Sequence, residues 1–233
     1  MTRTPRILLT EKRVIQIAGI NDEDEARMLV DCGVDFLGFP LGLVHRSGDA
    51  GEKAAAKIIG DTRPPAFGVP ITYLGLCDEV LSLCRRVQAY AVQLHGGVAL
   101  EEMRRLRETS PDILIVKTLV VRGGDLARLE GEIDRFTPYV DAFLTDTFDG
   151  ASGRWGATGK THDWSISRGV VLHSTRPVIL AGGLNPSNVA RAILEVGPAG
   201  VDVHTGVEDN RGRKDRRLVE RFVEEARKAF DRA

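Results

Sequence analysis

The chain has 233 residues, with 32 Lys+Arg against 33 Asp+Glu, so its net charge is −1 with the histidines neutral. That balance excludes the basic surplus of a dedicated nucleic-acid binder, and 6% aromatic residues supply a poor base-stacking surface. Hydrophobic content of 42% and charged content of 28% exclude global disorder. No apolar run approaches the ~18 residues of a membrane helix. The opening MTRTPRILLTEKR is too often interrupted by charge to be a signal peptide. Cys32, Cys77 and Cys84 form neither a disulfide framework nor a zinc spacing. They read as small buried hydrophobes in a reducing cytoplasm.

Along the chain, short apolar runs alternate with amphipathic stretches. The predicted strands are 14–20, 35–41, 66–72, 91–96, 113–121, 141–147, 177–183 and 200–206. Their near-continuous apolar character suits parallel strands buried on both faces. Between the first two lies NDEDEARMLVDCG, a helix with Asn21 or Asp22 as its N-cap and Gly33 as its stop. Cys77 and Cys84, seven apart, share one face of a later helix. NPSNVARAILEVG again ends on glycine. The last helix, DRRLVERFVEEARKAF, carries Leu218, Val219, Phe222, Val223 and Ala226 on one stripe. The strands–helices alternation defines an α/β protein, and eight units close a (β/α)8 barrel. The first strand lacks the glycine fingerprint of a dinucleotide-binding sheet. The expected organisation is an N-terminal extension over 1–13 and one barrel domain over 14–233. The extension either covers the barrel bottom or mediates a subunit contact, as in a homodimer.

Barrel chemistry sits at the C-terminal ends of the strands. The seventh and eighth predicted strands end in LAGGLNPSNV and VDVHTGVE. Gly182, Gly183, Thr205 and Gly206 there suit a phosphate, because glycines let backbone N–H groups approach an anion; the plainer alternative is turn geometry. Asp146, closing the sixth strand, is a candidate general acid or base, or else a loop cap. The glycine-rich stretch 150–159 is long for such a loop and could cover a ligand. RGRKDRR at 211–217 reads as a solvated surface turn, the alternative being a basic patch that draws anions toward the mouth. No cofactor fingerprint and no metal cluster is visible. The expected partner is a small phosphorylated sugar, with no nucleic acid and no membrane.

These residues resemble phosphoribosylanthranilate isomerases, barrel enzymes of tryptophan biosynthesis. The resemblance runs from about Val14 to Phe230. It rests on FLGF followed by Arg46, VQLHG at 92–96, LTDT at 144–147, GATGKTHDW at 156–164, LAGGLNPSNV at 180–189, VDVHTGVED at 201–209 and GRKD at 212–215. It implies an Amadori rearrangement of an aminoaldose to an aminoketose, without a cofactor. Asp146 then matches the acid that opens the ribose ring. Arg46 matches the ligand of the anthranilate carboxylate, where bidentate guanidinium geometry fits. Gly183 and Thr205–Gly206 match the phosphate site, Asp202 the ribose region, and His95 a shaping residue of the pocket.

One departure bears on the chemistry. The family's first strand reads K-x-C-G, its cysteine being the general base, whereas this chain reads Gln16-Ile17-Ala18-Gly19. A methyl group accepts no proton. The family also has a small hydroxyl residue where this chain has His204. The first and eighth barrel strands are neighbours, so His204 either replaces the base, serves another proton transfer, binds phosphate or packs outward. Three functions stay in view: an isomerase with an altered base, a lyase or aldolase-like enzyme on another phosphosugar, and a non-catalytic binder of a phosphometabolite. A Schiff-base version of the second needs an inward lysine, for which Lys117 is the strand candidate.

Overall fold

Every strand read from the sequence is present, and the strands close on themselves. The structure, a computed structural model, describes residues 5–11, 13–42, 51–123, 126–149, 154–155 and 163–233. The barrel strands are β1 (Val14–Ala18), β2 (Phe36–Pro40), β3 (Phe67–Thr72), β4 (Ala91–Leu94), β5 (Leu114–Val121), β6 (Ala142–Asp149), β8 (Val178–Leu180) and β9 (Gly200–Val203); a two-residue β7 (Arg154–Trp155) lies between β6 and β8. The eight pair in parallel in the order β5-β4-β3-β2-β1-β9-β8-β6, and a β5–β6 pairing closes the ring. β7 turns back antiparallel on the end of β6, with Phe148 opposite Trp155. No sequence signal announced that hairpin, because two residues carry no periodicity.

The outer layer is α2 (Glu23–Asp31), α3 (Glu52–Asp61), α4 (Cys77–Arg86), α5 (Leu100–Thr109), α6 (Leu126–Phe136), α7 (Trp164–His173), α8 (Val189–Val196) and α9 (Arg216–Phe230). Local chemistry sets the ends. Asp22 caps α2 by accepting from the Glu25 amide, and Glu25 reaches back to the Asn21 amide, which satisfies orphan N–H groups from both sides. Gly197 ends α8 in the left-handed region at φ +67°, where a side chain is strained. α9 buries Val219, Phe222, Val223 and Ala226 against the barrel, with Leu218 partly buried beside them.

Two apolar layers follow from strand alternation. One face of each strand meets the helices; the other fills the lumen with Val14, Phe36, Val69, Ala91, Leu114, Val116, Leu144 and Ile179. A short α1 (Pro5–Thr10) adds Leu9 to the lumen cluster. Its Arg6 bonds Asp141 at 2.9 Å and the carbonyls of Pro111 and Ile113, ahead of β5 and β6. The helix therefore lies across the N-terminal end of the barrel, away from the chemistry. Among the described residues, no helix is long and apolar enough to cross a membrane.

Candidate active site

Strand parity decides which side chains reach the mouth. In β1 the lumen face carries Val14, Gln16 and Ala18; in β4 and beyond it, Ala91, Gln93 and His95; in β6, Ala142, Leu144 and Asp146; in β9, Gly200 and Asp202. Ala18, His95 and Asp146 thus end on one rim, and His204 directly follows the end of β9 there. His95 Nε2 lies 3.1 Å from Asp146 Oδ2, and its ring stacks on Tyr73 at 4.8 Å. Asp146 Oδ1 accepts from the Thr147 amide at 2.7 Å. The carboxylate is therefore held from two sides, with His95 buried behind it.

Below the rim is a polar layer in which the sequence reading named Gln16 and Asp202 but passed over Gln93 and Thr118. Gln16 donates across the lumen to Gln93 Oε1 at 2.7 Å, and Gln93 donates to Thr118 at 3.3 Å, all three buried. Gln93 stands two residues before His95 in VQLHG, and that alternation was the available signal. Asp202 faces Gln16 in the β1–β9 register. Among the described residues, Asp202 Oδ1 and Gln16 Oε1 are both buried without a hydrogen-bond partner. Burial, and next the charge of Asp146, push the Asp202 carboxyl up to about 7, against the opposing pull of Gln16 and Lys214. A proton held there supplies the donor that two buried acceptors on one rung need.

His204 follows β9 and turns onto β1. Its imidazole fills the space over Gly19, where any Cβ would overlap the ring, and Gly19 itself sits at φ +77°. The ring thus lies one residue from Ala18. Its Nε2 is 3.4 Å from Glu208 Oε1. Glu208 accepts from Lys214 Nζ at 2.6 Å, and the same ammonium donates to the His204 carbonyl at 3.0 Å. Lys214 corrects the reading of 211–217 as a solvated turn. Its side chain is fully buried, and Arg213 bonds Asp22 and Glu25 on α2. Burial lowers its pKa, while Glu208 opposes that shift.

The glycine-bearing ends lie side by side. Gly182 and Gly183 take φ +98° and +64°, and Asn188 pins the turn by donating to the Gly183 carbonyl at 3.0 Å. Asn188 also accepts from the Asn185 amide. Thr205–Val207 form one 3-10 turn, in which Gly206 lies so close to Leu184 that a Cβ would overlap its carbonyl oxygen. Thr205 is exposed beside it.

Three other readings resolve differently. Lys117 points away from the lumen, into the β5–α6 layer. It donates to the carbonyls of Thr118 and Gly96, lies 3.6 Å from Glu132 and sits over the Phe136 ring. An amine there reaches no ligand at the mouth, which removes the Schiff-base version. Cys77 opens α4 on the rim side of the barrel, but it is buried in the outer layer and its thiol is held above its ordinary pKa by burial. Cys84 is pushed up to about 12 by burial, and Cys32, the half-buried C-cap of α2, is also raised by burial. None is a ready thiolate. Arg46, and the stretch 150–159 apart from Arg154 and Trp155, lie outside the described residues.

A closed (β/α)8 barrel with carboxyls and imidazoles on its C-terminal rim, next to two glycine-bearing strand ends, is the layout of a barrel enzyme for small molecules. The family model described as N-(5'phosphoribosyl)anthranilate (PRA) isomerase matches residues 16–225, and the chain belongs to that family. It is 40% identical over 220 residues to N-(5'-phosphoribosyl)anthranilate isomerase 2 of Methanosarcina mazei, covering 93% of this chain and 95% of that one. The phosphoribosyl anthranilate isomerase of Thermotoga maritima superposes with a TM-score of 0.79 at 30% identity, covering 92% and 98% of the two chains. A structure of such an isomerase in complex with reduced 1-(o-carboxyphenylamino)-1-deoxyribulose 5-phosphate superposes at 0.73 with 29% identity and the same coverage.

Proposed function

We propose that this chain isomerises a phosphoribosyl amine of the anthranilate type from aldose to ketose. Asp146 acts as the acid and His204 as the base. The observation that carries the reading is the pairing on one rim of a fixed carboxyl at Asp146 with an imidazole one residue from Ala18. Asp146 protonates the ribose ring oxygen, and the ring opens to an iminium at C1′. His204 then takes the C2′ proton. The C–H pair becomes the C1′–C2′ double bond, and the iminium pair returns to nitrogen. Tautomerisation of the resulting enol, with a proton delivered to C1′, gives the ketose. His95 holds Asp146, and Asp202 meets the ribose. Gly182, Gly183, Thr205 and Gly206 grip the phosphate through backbone N–H groups and a hydroxyl. Arg46 takes the aglycone carboxylate. The relative solved with a carboxyphenylamino deoxyribulose phosphate supports this choice of substrate. The same reading places the enzyme in the cytoplasm and allows a homodimer, which light scattering tests.

The deciding experiment is complementation of a tryptophan auxotroph lacking this isomerase, run beside Asp146→Asn. Growth is expected with the natural chain. The variant should lose about 10²–10⁴ in kcat, the usual worth of a general acid. Absence of growth with a well-expressed, folded protein overturns the reading.

A further inference from the structure

We propose that Glu208 is a positioning residue for the His204 imidazole, forming with it a carboxylate–imidazole dyad that does the work the missing cysteine would do. The proposal rests on His204 being the base, and it deepens that reading by naming what fixes the ring.

The backbone makes the pair. After β9 the chain takes one 3-10 turn, Thr205–Val207, which brings residue 208 back beside residue 204. The ring nitrogen and carboxylate oxygen then stand 3.4 Å apart. Both partners are held by one group. Lys214 Nζ bonds Glu208 Oε1 at 2.6 Å and the His204 carbonyl at 3.0 Å. Lys214 is in turn fixed by its amide on Glu25 Oε1 at 2.9 Å and by the bridge between residues 208 and 214. The ring has a shaped seat, because Gly19 leaves the space that any other residue would fill.

The chemistry follows from tautomerism. A carboxylate only accepts, so a neutral imidazole facing Glu208 with Nε2 keeps its proton on that nitrogen. Nε2 then lies between Gly19 and Glu208, and Nδ1 on the opposite side of the ring carries the lone pair left to accept the C2′ proton. The imidazolium so formed stays paired with Glu208 until the proton is returned. Orientation of a histidine base by a carboxylate is a general solution to this problem. The buried Lys214 keeps Glu208 in place without competing for the proton, since an ammonium offers donors only.

The test is a cycle of His204→Ala, Glu208→Gln and the double variant, assayed by turnover of the phosphoribosyl amine. Glu208→Gln should lower kcat roughly 10- to 100-fold, short of the full loss of a base, with KM nearly unchanged. In the His204→Ala background the same change should cost almost nothing more, because two residues acting as a unit are not additive. An equal cost in both backgrounds, or no cost while His204→Ala is inactive, overturns the dyad and leaves the base reading standing. Full turnover by His204→Ala overturns both. Nitrogen-15 NMR of the natural protein needs no variant to fold: the Nε2–H tautomer of His204 is expected, and the Nδ1–H tautomer overturns the proposal.

Discussion

The two sides of the rim are built on different principles. On the side of β8 and β9 the strand ends are fixed by backbone. Gly206 lies against the Leu184 carbonyl, and Asn188 ties the Gly182–Gly183 turn. On the side of β1 the packing is done by side chains. His204 fills the space over Gly19, and Gln16 reaches across to Gln93. A cradle built from backbone, as proposed for the phosphate, leaves little room for change. A side-chain wall can be rebuilt residue by residue. That contrast fits the expectation, drawn from the resemblance, that LAGGLNPSNV is kept while Gln16 and Ala18 stand in place of a lysine and a cysteine.

Substitution at the two glycines breaks the comparison most directly. Gly206→Ala sets a methyl against a backbone carbonyl that cannot rotate away. It should cost ~3 kcal/mol of stability, in the upper range for overpacking. Inorganic phosphate is expected to raise the Tm of the natural protein, and Gly206→Ala should abolish that rise. Thermal unfolding with and without phosphate measures both effects, and an unchanged phosphate response would show that this turn is not the cradle.

Gly19→Ala should cost less, about 1–2 kcal/mol, mostly because a side chain is strained at φ +77°. Its obstacle is an imidazole, which can turn aside. Its signature should therefore be kinetic: kcat falls with His204 displaced, while phosphate affinity holds. A loss of phosphate affinity as large as that of Gly206→Ala would erase the distinction between the two sides.

Much of this was readable before any geometry was known. All eight barrel strands stand out because parallel strands are apolar on both faces and are punctuated by Gly, Asp and Pro. The rim residues followed, since a barrel puts chemistry at strand ends. What escaped depended on contacts between distant positions. Glu208 is four residues from His204, a spacing with no meaning until the 3-10 turn exists. Lys214 sits in a run of five cations that composition marks as solvated, yet α2 and the end of β9 enclose it. Lys117 lies in a strand apolar on both faces, so no alternation told which way it points. Cys77 was assigned correctly to a helix, but its place at the rim-side start of α4 needed the structure.

Gln16 offers the finest test of the rebuilt side. It faces Asp202 in the register, and without a cation there the carboxyl is held up to about 7 by burial and by Asp146. The folded protein therefore binds a proton that the unfolded chain, with its ordinary carboxyl near 3.8, has already released over the window from about pH 4 to 7. This group's contribution to stability is full below that window and is lost as pH rises through about 7. Gln16→Lys places an ammonium on the opposite rung. It should lower the Asp202 pKa by at least one unit, or ~1.4 kcal/mol of difference between the two protonation states. Carbon-13 NMR of the carboxyl reads the shift. Urea unfolding across pH 4–7 should show the variant gaining on the natural protein as pH rises. Parallel pH–stability curves, or a carboxyl already titrating in the ordinary range in the natural protein, would mean that the side-chain wall was rebuilt without changing its protons. In that case His204 would have to be the single group on this side of the rim able to move one.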